Sequence, residues 1–561
     1  MSFYWEHRTA GIEIIDPIGR GGDRITFNVT SLWKLKTRQA ELRFFYRGIN
    51  TVAEYHNNGV MTETDDLHYT RSVRTNAKER RPLEVGDRLE FELSQFLDGP
   101  PNGRENYYGT AILYVVGRGI VPWEARGDRE DSYPIPESAW LGGRTTLHRQ
   151  YSGEPDNLFM QMATNVSDRN GQPFVLGRRV HHSDFGDGDH NESSSNPDFE
   201  EIAGTLGPNY VNRSCIACHE NNGRASPPDR GEGLDRFVVR VGQSDGSAHP
   251  RLGRVLQSRA TSDEPESRVT LDRWIEEDGL RRPQFRFHGT EPESFSARTA
   301  PQLVGMGLLE AIPELQLEAL ADPDDLDGDG ISGRLRIVRD PESGDLRVGR
   351  FGWKAGEATV RQQVAAALNT DIGVMNSVYP DPDCGSEQGD CGASGNEIAE
   401  EHLEHLTKYI ALLGVHARRD LGDPVAARGE SLFGDLGCAS CHQPSFRTSE
   451  YHPLAELRGQ TVQPYTDLLL HDMGPGLADT LSEGDEATSR VSGSEWRTAP
   501  LWSIGLTRKV SGEESYLHDG RARTLREAIL WHGGEGLPSK NAFEKLSAAD
   551  QNAVIAFLES L

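Results

Sequence analysis

Two stretches decide how this chain is read: Cys215-Ile216-Ala217-Cys218-His219 and Cys438-Ala439-Ser440-Cys441-His442. Each sets two thiols three positions apart with a histidine directly after. At that spacing the thiols form thioethers with the two porphyrin vinyl groups and the histidine falls under the iron. With 6 Cys and 18 His in 561 residues, a shuffled chain would carry about 0.002 such motifs, so chance does not supply two. A four-cysteine zinc site or two redox dithiols would use the same cysteines, but neither needs His after the second Cys in both copies. Two covalently bound haem c groups are therefore expected. Cys215, Cys218 and His219 hold one; Cys438, Cys441 and His442 hold the other.

A chain of 561 residues is too long for one core and predicts roughly three or four domains. A mean hydropathy of -0.60, with 60 Gly and 30 Pro, points to a globular chain rich in loops. No run of apolar residues reaches the length of a membrane span. The start, Met1-Ser-Phe-Tyr-Trp-Glu-His-Arg, lacks a basic segment followed by an apolar one. Covalent haem attachment normally takes place outside the cytoplasm, so the expectation is a mature or recombinant form of an exported protein, periplasmic or extracellular. The net charge of -28 argues against a nucleic-acid partner. It suits a basic redox partner as well as it suits a plain solvated surface. The two remaining cysteines, Cys384 and Cys391, lie in a short polar loop and are expected to form a disulfide in an oxidising compartment.

Residues 1–135 alternate short β-rich runs with turns, among them Arg24-Ile-Thr-Phe-Asn-Val-Thr, Ala40-Glu-Leu-Arg-Phe-Phe-Tyr and Gly109-Thr-Ala-Ile-Leu-Tyr-Val-Val. Period-two alternation predicts a β-sandwich. Residues 136–200 read as an irregular connection, including the acidic stretch Asp187-Gly-Asp-His-Asn-Glu-Ser-Ser-Ser-Asn. Residues 201–420 and 424–561 read as two mainly α-helical cytochrome c-like haem domains. An internal echo supports duplication: Arg298-Thr-Ala-Pro and Arg497-Thr-Ala-Pro each follow a haem motif. Ser547 caps a terminal amphipathic helix. The loop Asp325-Leu-Asp-Gly-Asp-Gly offers hard oxygen ligands at Asp325, Asp327 and Asp329, the pattern of a Ca2+ loop. Position twelve is Arg336 rather than Glu, so other groups would complete it.

Several longer stretches then carry a resemblance. They are Arg213-Ser-Cys-Ile-Ala-Cys-His, Gly307-Leu-Leu-Glu-Ala-Ile-Pro, Asp327-Gly-Asp-Gly-Ile-Ser-Gly-Arg, Arg350-Phe-Gly-Trp-Lys-Ala, Leu469-Leu-His-Asp-Met-Gly, Arg497-Thr-Ala-Pro-Leu-Trp and His518-Asp-Gly-Arg-Ala-Arg-Thr-Leu-Arg-Glu-Ala-Ile. From about residue 200 onward the chain resembles the bacterial di-haem oxidoreductases. These are similar to the di-haem cytochrome c peroxidases and to the di-haem enzyme that matures tryptophan tryptophylquinone. In the peroxidases a Met after the His-Asp-Gly stretch ligates the second iron; the corresponding position here is His532, with Met473 as its competitor. The resemblance implies His442 and His532 on the second iron. It also implies Asp371, in Asn369-Thr-Asp-Ile-Gly, as acid/base and Trp353 as an electron or hole carrier between the haems. His249 and His288 fall in no ligating stretch, so the first iron is expected to keep an open or water-bound position.

The leading expectation is a peroxidase-like oxidoreductase whose electron-transfer haem feeds a reactive haem. Its partners would be a redox protein or small electron donor, and peroxide or another small oxidant. The alternative is a non-enzymatic electron carrier supplying a secreted redox or carbohydrate-active enzyme. It is favoured if both irons have two strong ligands. An oxygenase-like haem protein is a third reading.

Overall fold

A computed structural model describes residues 7, 9–45, 59–100, 103–109, 111–125, 132–148, 158–192, 196–261, 264–265, 267–484 and 488–561. Of the stretches quoted above, residues 1–6, Arg8, Tyr46, Thr110 and residues 193–195 lie outside the described residues.

Among the described residues of the N-terminal part, the two larger antiparallel sheets enclose a shared core. One sheet runs Ala10–Ile15, Ile25–Ser31, His68–Val73, Thr62–Asp65. The other runs Gly119–Val121, Ile112–Val115, Arg88–Phe96, Glu41–Phe44, Gly59–Val60, with Asn106–Tyr108 also paired to Arg88–Phe96. The alternation of Ile25, Phe27 and Val29 sends those side chains inward. There Phe27 meets Phe91 at 5.1 Å and Phe44 at 5.5 Å between ring centroids.

The two haem regions are not the mainly α-helical cytochrome c-like domains expected. They are mixed, built of short helices and small two-stranded sheets. The physical reason is the β structure inserted after the first haem motif. In Ser267–Glu277 the residues Val269 and Leu271 are buried while Arg268 is exposed, a period of two that a helix cannot use. That strand forms a long hairpin with Leu280–Gly289. Its apolar face shares a small core with Phe237, Val239 and Val241, from the strand Phe237–Gly242 that pairs with Ser294–Thr299.

What remains helical is duplicated. Asp168–His182, inside the segment expected to be irregular, packs on Glu400–Ala411, and Pro424–Asp435 packs on Ala548–Ser560. Both pairs cross at a glycine. A Cβ on Gly177 would lie 1.9 Å from the His405 carbonyl oxygen, and one on Gly429 would lie 1.9 Å from that of Ala553. Tyr409 and Phe557 take matching places beside these glycines. Thr359, Asp423, Thr524 and Ser547 cap their helices through side-chain oxygens. One continuous apolar core runs from Leu141 to Leu561 and takes in residues of both haem regions. Within it the fully buried Trp502 lies against Gly305. Cys384 and Cys391 are joined, with Cα atoms 5.9 Å apart. No helix among the described residues is long and apolar enough to cross a membrane.

Candidate functional site

The first motif forms one helical turn, Cys215–Cys218, with the His219 amide closing onto the Cys215 carbonyl at 2.9 Å. Two side-chain positions three residues apart on one turn face the same way, so both thiols line the same cavity as His219. His219 Nδ1–H donates to the Pro301 carbonyl at 2.8 Å. This fixes the tautomer and leaves Nε2 with its lone pair. Pro301 ends the first Arg-Thr-Ala-Pro segment, which explains why that segment follows the motif. The second motif repeats the device with another partner: His442 Nδ1–H donates to the Tyr465 carbonyl at 3.0 Å. Pro500, the counterpart of Pro301, instead lines the first cavity.

Burial sets the protonation states. It pushes the Cys215 and Cys218 thiols up to about 12 and Cys438 up to about 11. It pushes His219 and His442 down to about 4. Neutral thiols and neutral imidazoles are the states from which thioethers and iron–nitrogen bonds form. No group of metal-ligand side chains among the described residues combines the cysteines of the two motifs, which removes the four-cysteine zinc alternative there.

The cavity beside the first motif has a volume of about 1020 Å³. Strand alternation lines one wall: Val239 enters the apolar core, while Val238 and Arg240 face the cavity beside Arg298. Arg336 and Lys354 add further cations. Glu483 is held between Arg298 and Arg336, the latter at 3.1 Å, and is driven well below the usual carboxylate range by these guanidinium groups against its burial. Cysteine pairs, a lone-pair imidazole nitrogen and a cation-rich wall fit a porphyrin that carries carboxylates.

Asp371 faces this cavity from the π-helical turn Leu368–Ile372. Its carbonyl accepts the Val211 amide at 2.7 Å, and its carboxylate accepts the Thr370 hydroxyl at 2.7 Å. Burial raises it to about 6. Trp353 also lines the cavity, its Nε1–H donating to the Thr299 carbonyl at 2.8 Å. It packs in a cluster with Leu477 and Trp496, against which Met473 and Trp531 lie. Trp496 stacks on His518 at 3.8 Å and 12°.

On the other side of that cluster, His532 Nδ1–H donates to the Ala528 carbonyl at 2.8 Å, which leaves its Nε2 free. It lies near enough to His442 to lower that group's proton affinity. Met473 converges on the same spot: both His532 and the Met473 methyl flank Gly536. His249 and His288 do not line the first cavity; His288 accepts or shares a proton with Thr270 on the exposed hairpin at 3.1 Å.

Three groups escaped sequence reading. His181 lies 6.4 Å from His219 between ring centroids, buried and, among the described residues, with neither nitrogen hydrogen-bonded. The duplication gives its counterpart: Phe433 occupies the matching place 6.1 Å from His442, so His181 stands beside His219 as Phe433 stands beside His442. His471, beside Cys441 at 3.8 Å, is clamped between Asp467 at 2.8 Å and Glu535 at 2.6 Å. These carboxylates outweigh burial and raise it to about 12. Glu357 is the third, a carboxyl on the first cavity. Glu357 is a lone acid with no local pattern, whereas His471 lies in the quoted stretch Leu469-Leu-His-Asp-Met-Gly, where only its carboxylate partners were out of sight.

In the acidic loop, Asp322, Asp325 and Asp327 bring carboxylate oxygens within 4.8 Å of one another. Asp329 is outside that group and accepts the Ile331 amide at 2.8 Å. Ser332, just beyond, donates to Glu535 at 2.8 Å, which ties the loop to the His471 cluster.

Residues 293–561 match the family described as "Di-haem oxidoreductase, putative peroxidase". No curated protein and no solved structure matches the chain.

Proposed function

Starting from residues 293–561 as a di-haem oxidoreductase sequence, we propose that the protein is an exported peroxidase-like enzyme with two covalent haems, one passing electrons to the other. The observation that carries this reading is the convergence of Cys215, Cys218, His219 and Asp371 on one cavity of about 1020 Å³. Bound there, haem supplies a redox iron able to exchange electrons with a donor and with peroxide. Residues 201–420 and 424–561 would each carry one haem, and residues 1–135 would form a separate β domain.

His219 and His442 would hold the two haem irons, each imidazole oriented by a backbone carbonyl. His532 would join His442 in holding the second haem, its tied Nδ1 leaving Nε2 in the tautomer needed. Asp371 moves the proton between peroxide oxygens: a carboxyl raised to about 6 is poised to accept and return it near neutral pH. Trp353 lies between the cavity and the aromatic cluster that reaches Trp531, the neighbour of His532, a placement suited to carrying charge. Cations on the cavity wall would hold the haem carboxylates.

A calcium ion bound through Asp325, Asp327 and Asp329, with Asp322 close by, would brace the loop against the second haem region. Location outside the cytoplasm is supported by the Cys384–Cys391 disulfide. The electron donor would be a redox protein or a small molecule.

The test is single-turnover reaction of reduced, haem-loaded protein with hydrogen peroxide. The reading expects rapid reoxidation of both haems, slowed about 100-fold or more in Asp371→Asn. Reoxidation no faster than by buffer oxygen would leave the electron-carrier reading in its place.

A further inference from the structure

Two glutamates face the first cavity in opposite circumstances. Glu483 is clamped by two guanidinium groups. Among the described residues Glu357 has no ion pair, and its carboxylate receives one hydrogen bond, from the Tyr379 hydroxyl at 3.4 Å. Its backbone is fixed, since the Glu357 carbonyl accepts the Arg350 amide at 2.8 Å and the Phe351 amide at 2.9 Å. The carboxyl therefore stays on the cavity wall with Arg240, Cys215 and His219.

Resting on the reading of this cavity as the first haem site, we propose that Glu357 is its redox-linked proton acceptor. Glu357 takes one proton from water when the haem carried by Cys215 and Cys218 gains one electron from the donor, and returns it on reoxidation. The added electron is thereby offset by one proton, and no bond other than the carboxyl O–H forms or breaks.

Charge in a buried cavity interacts more strongly over several ångströms than it does in water, so an electron gained there raises the proton affinity of a nearby unclamped carboxylate. The charged and titratable groups around Glu357 are Arg240 on the strand Phe237–Gly242, Arg336, Glu483 and Tyr379. Arg336 is already engaged with Glu483 at 3.1 Å and the Lys354 carbonyl at 2.7 Å. Burial outweighs the two guanidinium groups and brings Glu357 up to about 7, where both protonation states are reachable. Two carboxyls pushed apart by their surroundings divide the labour between a fixed anion and a proton carrier.

The experiment is redox-driven infrared difference spectroscopy on the full haem-loaded chain, with the potential of the first haem followed against pH. In the wild type, reduction should produce the carbonyl band of a protonated carboxyl. Glu357→Gln should abolish that band and flatten the pH dependence near neutrality. Tyr379→Phe removes the donor that favours the ionised form and should move the pH dependence upward. It serves also if Glu357→Gln does not yield loaded protein. A band and slope that survive in Glu357→Gln, or that vanish only in Asp371→Asn, would overturn the proposal, as would Tyr379→Phe without effect. Absence of haem from Cys215 and Cys218 in the wild type, read from the mass of the haem-bearing peptide, would instead bring down the site reading beneath it.

Discussion

Gly177 lies so close to His405 that a Cβ on the glycine would sit 1.9 Å from the His405 carbonyl oxygen, and Gly429 stands in the same relation to Ala553. These contacts let Asp168–His182 close on Glu400–Ala411, and Pro424–Asp435 on Ala548–Ser560. Replacing either glycine by alanine must push backbone against backbone. Gly177→Ala and Gly429→Ala should each cost about 1–3 kcal/mol or more, seen as lowered thermal midpoints. Gly434, in the helix Pro424–Asp435, has open space where its Cβ would be. Gly434→Ala should stabilise by about 0.5–1 kcal/mol.

The His471 clamp gives a prediction on pH. Its partners Asp467 and Glu535 raise the imidazolium to about 12. A raised cationic group contributes fully below its unfolded value near 6.5 and loses that contribution as pH rises towards the folded value. Stability should therefore fall progressively from about pH 7 upward, and the fall should be shallower in His471→Gln. His471→Ala leaves two buried carboxylates without their cation and should cost about 3–5 kcal/mol. Chemical denaturation across the alkaline range measures both.

The two Cys-x-x-Cys-His motifs could be picked out of the sequence because the pattern is local, and the structure gathers Cys215, Cys218 and His219 on one cavity. Two cysteines and a histidine within five residues need no tertiary information, and the Cys384–Cys391 pair is nearly as local. The proportion of β structure was not legible from the haem motifs. They suggested helical cytochrome c domains, whereas the Val269/Leu271 alternation, which was there to be read, builds a hairpin. Glu357, His471 and His181 were hidden for a different reason. Their character comes from burial and from partners far along the chain, such as Tyr379 for Glu357 and Glu535 for His471.

Calcium provides a third prediction. Asp325 and Asp327 lie within reach of Asp322, so losing one carboxylate removes both charge and a ligand. Calcium should raise the thermal midpoint of chelator-treated protein, and Asp327→Asn should weaken that response at least several-fold. If elemental analysis finds no calcium and added calcium changes nothing, the loop is an acidic turn.

Attachment itself is tested by removing thiols one motif at a time. Cys215→Ala with Cys218→Ala should leave one covalent haem per chain, and Cys438→Ala with Cys441→Ala the other, counted after extraction in acid acetone. Loss of both haems from either variant would show that the sites do not load independently.

The division of labour between the irons is most directly read from the electron paramagnetic resonance of the oxidised protein. The account predicts one low-spin haem, ligated by His442 and His532, and one high-spin or water-bound haem on His219, with cyanide binding first at the latter. His532→Gly should turn the low-spin signal high-spin while both haems stay attached. Two low-spin haems in the wild type, or cyanide binding only at the haem of His442, would contradict it.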